Sequence, residues 1–289
     1  MFMPNLTATV SRPGNTRVTG KEQFYTPAAL ARELFTDVAG VVPNLAERVI
    51  IEPAGGTGAF IKAAKKFGVA GIVSFDIEPK HAGISAEDFL QADIEVKKAV
   101  TISNPPFGRN NSLSIPFFNK AAEHSDYICF IVPRSWRKWS VINRLDHRFH
   151  LVFDKDIQID YVDDNGDELS SKSRLATCFQ IWQKRRVTRP IVSVVDNEFI
   201  KKVKPIDADV SLTIFGFNCG RVRTDFKREP NSTQMFLKLQ HPRALEALQS
   251  VDFSRFFKNT AYTEALSLQE INFLLNEYLI GEGQLKENK

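Results

Sequence analysis

Arg48-Val49-Ile50-Ile51-Glu52-Pro53-Ala54-Gly55-Gly56-Thr57-Gly58-Ala59-Phe60, running on into Ile61-Lys62-Ala63-Ala64-Lys65-Lys66, reads as strand, glycine-rich turn and helix. A short β-branched apolar run ends in an acid, and glycines then let the backbone approach a ligand while the helix packs tightly on the sheet. No Gly-Lys-Ser/Thr follows, so the turn is not a Walker phosphate loop, and its spacing departs from the dinucleotide fingerprint. Glu52, closing the strand, argues against pyrophosphate and for a cationic or hydroxylated ligand.

Working outward, Gly71-Ile72-Val73-Ser74-Phe75 is a second strand ending in Asp76, the place where a βαβ unit commonly holds a ribose hydroxyl pair. A plain exposed strand-end acid would look the same. Asp88-Phe89-Leu90 comes next. The apolar run Ala99-Val100-Thr101-Ile102-Ser103 is then a buried strand that stops at Asn104-Pro105-Pro106-Phe107-Gly108. Proline removes a ladder donor and fixes φ, so the chain must leave the sheet there in a rigid, extended turn. Such a turn holds the Asn104 side chain, the Pro105 carbonyl and the Phe107 ring together: two acceptors beside a flat apolar face. A planar base with an exocyclic amine fits that set, although an ordinary surface turn uses the same residue types.

On the N-terminal side, Thr26 is expected to cap a helix with Pro27 at its first position and Leu30, Leu34 and Val38 as its apolar stripe. On the C-terminal side a helix is expected over 116–122, a strand over 126–132 and a short helix over 143–150. Strands follow over 149–153 and 157–162, with a hairpin turn at Asp164-Asn165-Gly166-Asp167. Ala176 to Trp182 closes the sheet. Alternating strands and helices up to about residue 185 imply an α/β fold with a mostly parallel sheet and an antiparallel hairpin at its end. Residues 184–190 mark a boundary. Beyond it come β-like runs (211–217) and a helix over 271–279, opened by a capping box at Ser267-Leu268-Gln269-Glu270. The division expected is a flexible arm over 1–20, a catalytic domain over 21–186 and a smaller mixed domain over 187–289.

Composition bounds the function classes. The net charge is +4, and residues 184–243 hold thirteen Lys or Arg against six acids, a bias toward nucleic acid. Arg12 and Arg17 in the arm, and Lys21 just after it, are further phosphate candidates. Cys129, Cys178 and Cys219 are far apart, with no Cys-x-x-Cys pair and no histidine at metal-ligand spacing, so neither a disulfide framework nor a zinc site is expected. His147 and His150 are expected on a solvated helix end. No apolar run approaches the roughly 20 residues that span a bilayer. Met1-Phe2-Met3-Pro4-Asn5 lacks the form of a signal peptide, and a cytoplasmic protein is expected.

In this order the motifs Phe-x-Thr-Pro, Glu-Pro-x-x-Gly-x-Gly-x-Phe, an acid, Asp-Phe and Asn-Pro-Pro-Phe resemble the S-adenosylmethionine-dependent DNA adenine-N6 methyltransferases over residues 23 to about 185. Only about fifty residues separate Glu52 from Asn104, so a DNA-reading domain must follow the catalytic motif, which is similar to the γ-class order. The resemblance implies a Rossmann-like seven-stranded methyltransferase sheet with S-adenosylmethionine as cofactor. It implies Thr26 by the methionine end of the cofactor, Glu52 near its ammonium and sulfonium, and Ala54 and Gly55 lining the turn. Asp76 would take the ribose hydroxyls, Ile77 and Phe89 would pack on the adenine, and Asp88 would take its amino group. Asn104 and Pro105 would hold the target amine, and Phe107 would stack on the target base. Arg134, Arg221, Arg223, Lys227 and Arg228 would meet double-stranded DNA. A monomer is expected, with a cognate restriction endonuclease as a candidate partner. Phe179 and Trp182 compete for the family's second aromatic clamp.

The same turn also serves enzymes acting on RNA adenine or protein glutamine, and a silent DNA-binding relative would keep the fold. Cytosine-N4 enzymes more often carry Ser at position 104. Carbon-5 chemistry needs Pro-Cys, which this chain lacks.

Overall fold

A computed structural model describes residues 25–163, 175–227 and 230–288. The arm, the 164–167 turn and Arg228 lie outside them.

The larger sheet has seven strands: β1 (Ile50–Glu52), β2 (Ile72–Asp76), β3 (Ser85–Ala86), β4 (Ala99–Ser103), β5 (Ser125–Pro133), β6 (Phe149–Ile157) and β7 (Thr177–Lys184). Their order is β3-β2-β1-β4-β5-β7-β6. Neighbouring pairs from β3 through β5 are parallel, and β7 runs antiparallel to both β5 and β6. Along the strands alternate side chains enter opposite faces, as the pleat requires. Ile50, Val100, Ile102, Cys129 and Ile131 join one core cluster with helices α1 (Ala28–Val41) and α2 (Ala59–Lys66). Ile51, Ala99, Ile128, Phe130 and Val132 join the other with α3 (Ser114–Ala122) and α4 (Trp139–Ile142). The sheet is thus covered on both sides, and its central strands read as near-continuous apolar runs.

The order reverses at β1. The chain first moves outward through β2 and β3, then returns to place β4 on the other side of β1. Open α/β sheets bind ligands at such a switch point, in the crevice outside the carboxyl ends of the two diverging strands. Glu52 and Asn104 sit at those two ends.

Residues from 191 on form a four-stranded sheet, β11-β10-β12-β9, and a two-stranded one, β13-β8. The strands are β8 (Ile191–Val194), β9 (Ile200–Lys202), β10 (Val210–Gly216), β11 (Val222–Arg223), β12 (Ser232–Leu239) and β13 (Leu285–Asn288). With α5 (Ala244–Ser250), α6 (Ser254–Phe257) and α7 (Leu268–Ile280), β9, β10 and β12 enclose a separate core around Leu212, Leu237, Leu248 and Leu275. The two cores meet where Trp139 packs on Phe256 and Phe273, ring centroids 5.5 and 5.4 Å apart. Beside them Lys138 reaches Glu270 at 2.9 Å.

Several expectations need correction. Pro27, not Thr26, stands at the cap of α1: its carbonyl accepts from Ala31 N at 3.0 Å, and no side chain caps the end. The helix expected over 143–150 ends at Ile142, because Asp146 folds back to accept from Arg148 N and the chain enters β6 at Phe149. His147 bonds to the Asn143 carbonyl and His150 to the Val187 carbonyl, so neither lies on a helix end. The strand expected over 149–153 runs on to Ile157, with a register shift between Leu151 and Phe153, and the second one expected over 157–162 does not form: beyond Ile157, among the described residues, only Val162 bridges, to Tyr25. β7 does not close the sheet: it inserts between β5 and β6.

Candidate active site

The glycine turn is built by three constraints. Gly56 and Gly58 have φ of +48° and +76°, conformations that L side chains rarely adopt. A Cβ on Gly55 would meet Ser74 Oγ at 2.5 Å, one on Gly56 the Tyr25 ring at 2.7 Å, and one on Gly58 the His81 ring at 2.6 Å. Hydrogen bonds from Gly55 N to the Phe75 carbonyl and from Gly58 N to the Gly55 carbonyl then fix the turn. Asp76 is half-buried and accepts from Gly56 N at 2.7 Å and Glu78 N at 2.8 Å, which ties the second strand's tip to the turn. Ile77 beside it is 64% exposed, an open apolar surface just past the end of β2.

The second half of the site follows β4. Phe107 is half-buried against the core cluster that holds α1 and α2, and its carbonyl accepts from Leu113 N and Ser114 N at the start of α3. Gly108 has φ +66°, and a Cβ there would meet Ser112 Oγ at 2.5 Å. Asn111 Nδ2 donates to Ser135 Oγ at 3.2 Å, tying the loop to the end of β5. Pro105 is buried and Asn104 half-buried. The turn is therefore anchored on both flanks.

One contact joins the halves. Glu52 is 2% exposed, and its Oε1 accepts from Ser103 Oγ at 2.5 Å and from Ala54 N at 3.1 Å. Ser103 is the residue before Asn104, so the acid at the glycine turn is bonded to the strand that delivers the amide. Burial pushes the Glu52 carboxyl up to about 8, against the pull of these two donors. A buried acid with no cationic partner among the described residues is costly unless neutral, and a cationic ligand in the crevice would relieve it.

The expected site residues divide as follows. Thr26, Glu52, Ala54, Gly55, Asp76, Ile77, Asn104, Pro105 and Phe107 gather at the carboxyl ends of β1, β2 and β4 and the chain entering α1. Asp88 is exposed, and its carboxylate accepts from Leu90 N at 3.0 Å. Phe89 is a correction: it is 1% exposed, packed between Phe75 and Phe117 at centroid distances of 5.8 and 5.3 Å, and belongs to the core. Phe179 and Trp182 are core residues as well, so neither offers a clamp face. Arg134 is paired with Asp156 at 2.9 Å and Arg223 with Asp225 at 2.7 Å, whereas Arg221 and Lys227 are exposed. Ser103, Tyr25 and His81 were not singled out, and Gly56 and Gly58 entered only as the glycines of the quoted motif. The doubled glycine was a usable signal for Gly56, whereas a serine inside an apolar strand carries none.

No protein-family model matches the chain, and no curated protein matches it. Among solved structures it is similar to a candidate RNA methyltransferase from Pyrococcus horikoshii, at 20% identity and TM-score 0.48 over 59% of this chain and 90% of that one. A candidate class I S-adenosylmethionine-dependent methyltransferase from Listeria monocytogenes gives 16% and 0.38 over 55% and 59%. The M protein of the type I restriction enzyme EcoKI gives 16% and 0.41 over 57% of this chain, which spans 45% of that protein. None of these likenesses bears on the substrate of this chain.

Proposed function

We propose that the chain transfers a methyl group from S-adenosylmethionine to the exocyclic N6 amine of an adenine turned out of a DNA duplex. What supports this most is the Glu52–Ser103 bond at the switch point: it joins a cradle suited to a cationic, ribose-bearing ligand to a rigid amide, carbonyl and ring set suited to an aminated base. The residues fit the cofactor. Glu52 is a buried acid with no cationic partner among the described residues, Asp76 stands at the tip of the second strand, Ile77 offers an open apolar face, and the glycines leave no Cβ in the way. When bound, S-adenosylmethionine supplies an electrophilic methyl group.

The chain's own part is positioning. The Asn104 side-chain oxygen and the Pro105 carbonyl would accept the two amine hydrogens, drawing the nitrogen lone pair out of the ring π-system and toward the methyl donor. Phe107 would stack on the base, returning about 1–3 kcal/mol of the few kcal/mol that flipping costs. Catalysis of this kind rests on orientation and electrostatics and needs no strong base. The DNA-reading role falls to residues 187–289, the catalytic one to 21–186.

The test is methyl transfer from labelled S-adenosylmethionine to duplex DNA, structured RNA and a glutamine-containing peptide, with nucleosides identified after digestion. N6-methyladenine from the duplex is expected, and sequencing host DNA after expression would give the motif. Transfer to RNA or peptide alone would replace the reading, and transfer to none would end it.

A further inference from the structure

The loop that follows Phe107, Gly108-Arg109-Asn110-Asn111-Ser112-Leu113, is both strained and firmly held. Asn110 and Asn111 have φ of +54° and +61°. Asparagine visits this left-handed region as a single residue, and two in succession keep the backbone in a conformation that costs free energy. Pinned ends sustain it. Ser112 N donates to the Arg109 carbonyl and Leu113 N to that of Phe107, both at 3.2 Å, while Asn111 is 6% exposed and bonds to Ser135 past the end of β5. Backbone held in this way clusters at ligand clamps.

What the loop presents says what it meets. Leu113 is 40% exposed, and its Cγ would lie 2.9 Å from a Cβ on Gly108, so its side chain stands against the residue that follows Phe107. Arg109 and Asn110 are exposed as well, and from Gly108 to Leu113 the chain has one cation and no acid. An open branched apolar group and a guanidinium on a fixed backbone are the parts of a wedge for a duplex. Apolar side chains of this kind enter between base steps, and cations meet the phosphates alongside. Position selects the occupant: a base stacked on Phe107 has left a hole in its own stack, and Leu113 is the open apolar side chain beside that ring.

We infer that the Gly108–Leu113 loop enters the DNA duplex next to the flipped adenine, with Leu113 filling the place the base vacates and Arg109 meeting a flanking phosphate. The inference rests on the proposed methyl-transfer reading and adds the element that holds the duplex open. Flipping costs a few kcal/mol in lost pairing and stacking, and an inserted leucine offsets part of that by burying its own exposed surface between the neighbouring bases.

The probes are a fluorescein-labelled duplex carrying the motif that host sequencing identifies and a second duplex with that motif scrambled, both followed by anisotropy. Leu113→Ala is expected to weaken binding of the motif duplex about 3- to 10-fold, the burial of the exposed part of one leucine side chain. Binding of the scrambled duplex, from which no base is turned out, stays at the parent's affinity. Leu113→Met, of similar volume, restores the preference for the motif. Arg109→Ala instead weakens both duplexes and flattens their salt dependence by about one counterion. Calorimetric binding of S-adenosylmethionine by Leu113→Ala at the parent's affinity shows that the variant is folded. Parental affinity of Leu113→Ala for the motif duplex, equal losses on the two duplexes, or a methionine that restores nothing overturns the inference and leaves the methyl-transfer reading standing. A parent protein that methylates no duplex overturns both.

Discussion

At the scale of single residues, Glu52 carries two testable consequences. Its folded-state carboxyl titrates near 8, above the ordinary 4.5. The folded ligand-free chain thus holds a proton that the unfolded chain has lost. Glu52 therefore adds stability that is fully present below about pH 4.5 and is lost as pH rises through about 8. Glu52→Gln should remove that slope, seen as a growing advantage of the variant in urea melts between pH 6 and 9. Parallel curves for the two proteins would refute it. A bound cation should expel the same proton: S-adenosylmethionine titrated near pH 7 in buffers of different ionisation enthalpy should release close to one proton from the parent and none from Glu52→Gln. Asn104 makes the opposite case, a residue that matters to rate and little to binding. Asn104→Ala should lower kcat on the order of 100- to 1,000-fold, the loss found when one preorganised polar group is removed from a reaction centre. Cofactor and duplex affinity should stay within a few-fold, and a parental kcat would remove Asn104 from its role.

Among the elements, what the sequence disclosed depended on whether punctuation was local. β4 has the bounds expected of it, Ala99–Ser103, because an apolar run met two prolines. The start of α7 was legible because Ser267 and Glu270 form a reciprocal capping box that needs no tertiary information. Where punctuation was missing, the reading slipped. No glycine or proline lies between Asn143 and His150 to announce the Asp146 turn, and the charged Asp154-Lys155-Asp156, which reads as a break, carries β6 on to Ile157. Phe89 was read as part of a site because Asp-Phe fits a pattern, yet rings distant in sequence, Phe75 and Phe117, enclose it. The pairing of β8 with β13 joins segments about ninety residues apart and left no local mark. Gly216 tests the element-level argument. It has φ +88°, and a Cβ there would fall 2.0 Å from the Asn231 carbonyl oxygen. Gly216→Ala should cost about 1–2 kcal/mol for the backbone alone, with the overlap in addition. A thermal midpoint equal to the parent's would show that the hairpin relaxes freely.

For the molecule as a whole, the two units are tied by the Trp139 ring contacts, the Lys138–Glu270 pair and the Ala176–Ala261 hydrogen bond. The Lys138 ammonium reaches both Glu270 oxygens at 2.9 Å and the Ala265 carbonyl at 3.2 Å, and Glu270 is only 2% exposed. Lys138→Met would leave that carboxylate, among the described residues, with its Ser267 donors alone. The expected loss is about 2–3 kcal/mol, below that of a wholly orphaned buried charge. The same variant should loosen the β10–β12 unit from the larger sheet, read as faster exchange of the Ala176 amide, which donates to the Ala261 carbonyl, with unchanged exchange in β4. Uniform protection would mean that Trp139 and its ring partners hold the interface unaided.

The position of β7 also dictates an order of events during synthesis. Both neighbours of Thr177–Lys184 are made earlier, so β5 presents an unsatisfied, almost wholly apolar edge until residue 184 leaves the ribosome. Exposed edges of that kind template intermolecular pairing. Chains truncated just before Thr177 should accumulate in inclusion bodies, while truncation just after Lys184 should spare the larger sheet. Equal solubility of the two fragments would show that another segment shields that edge in the nascent chain.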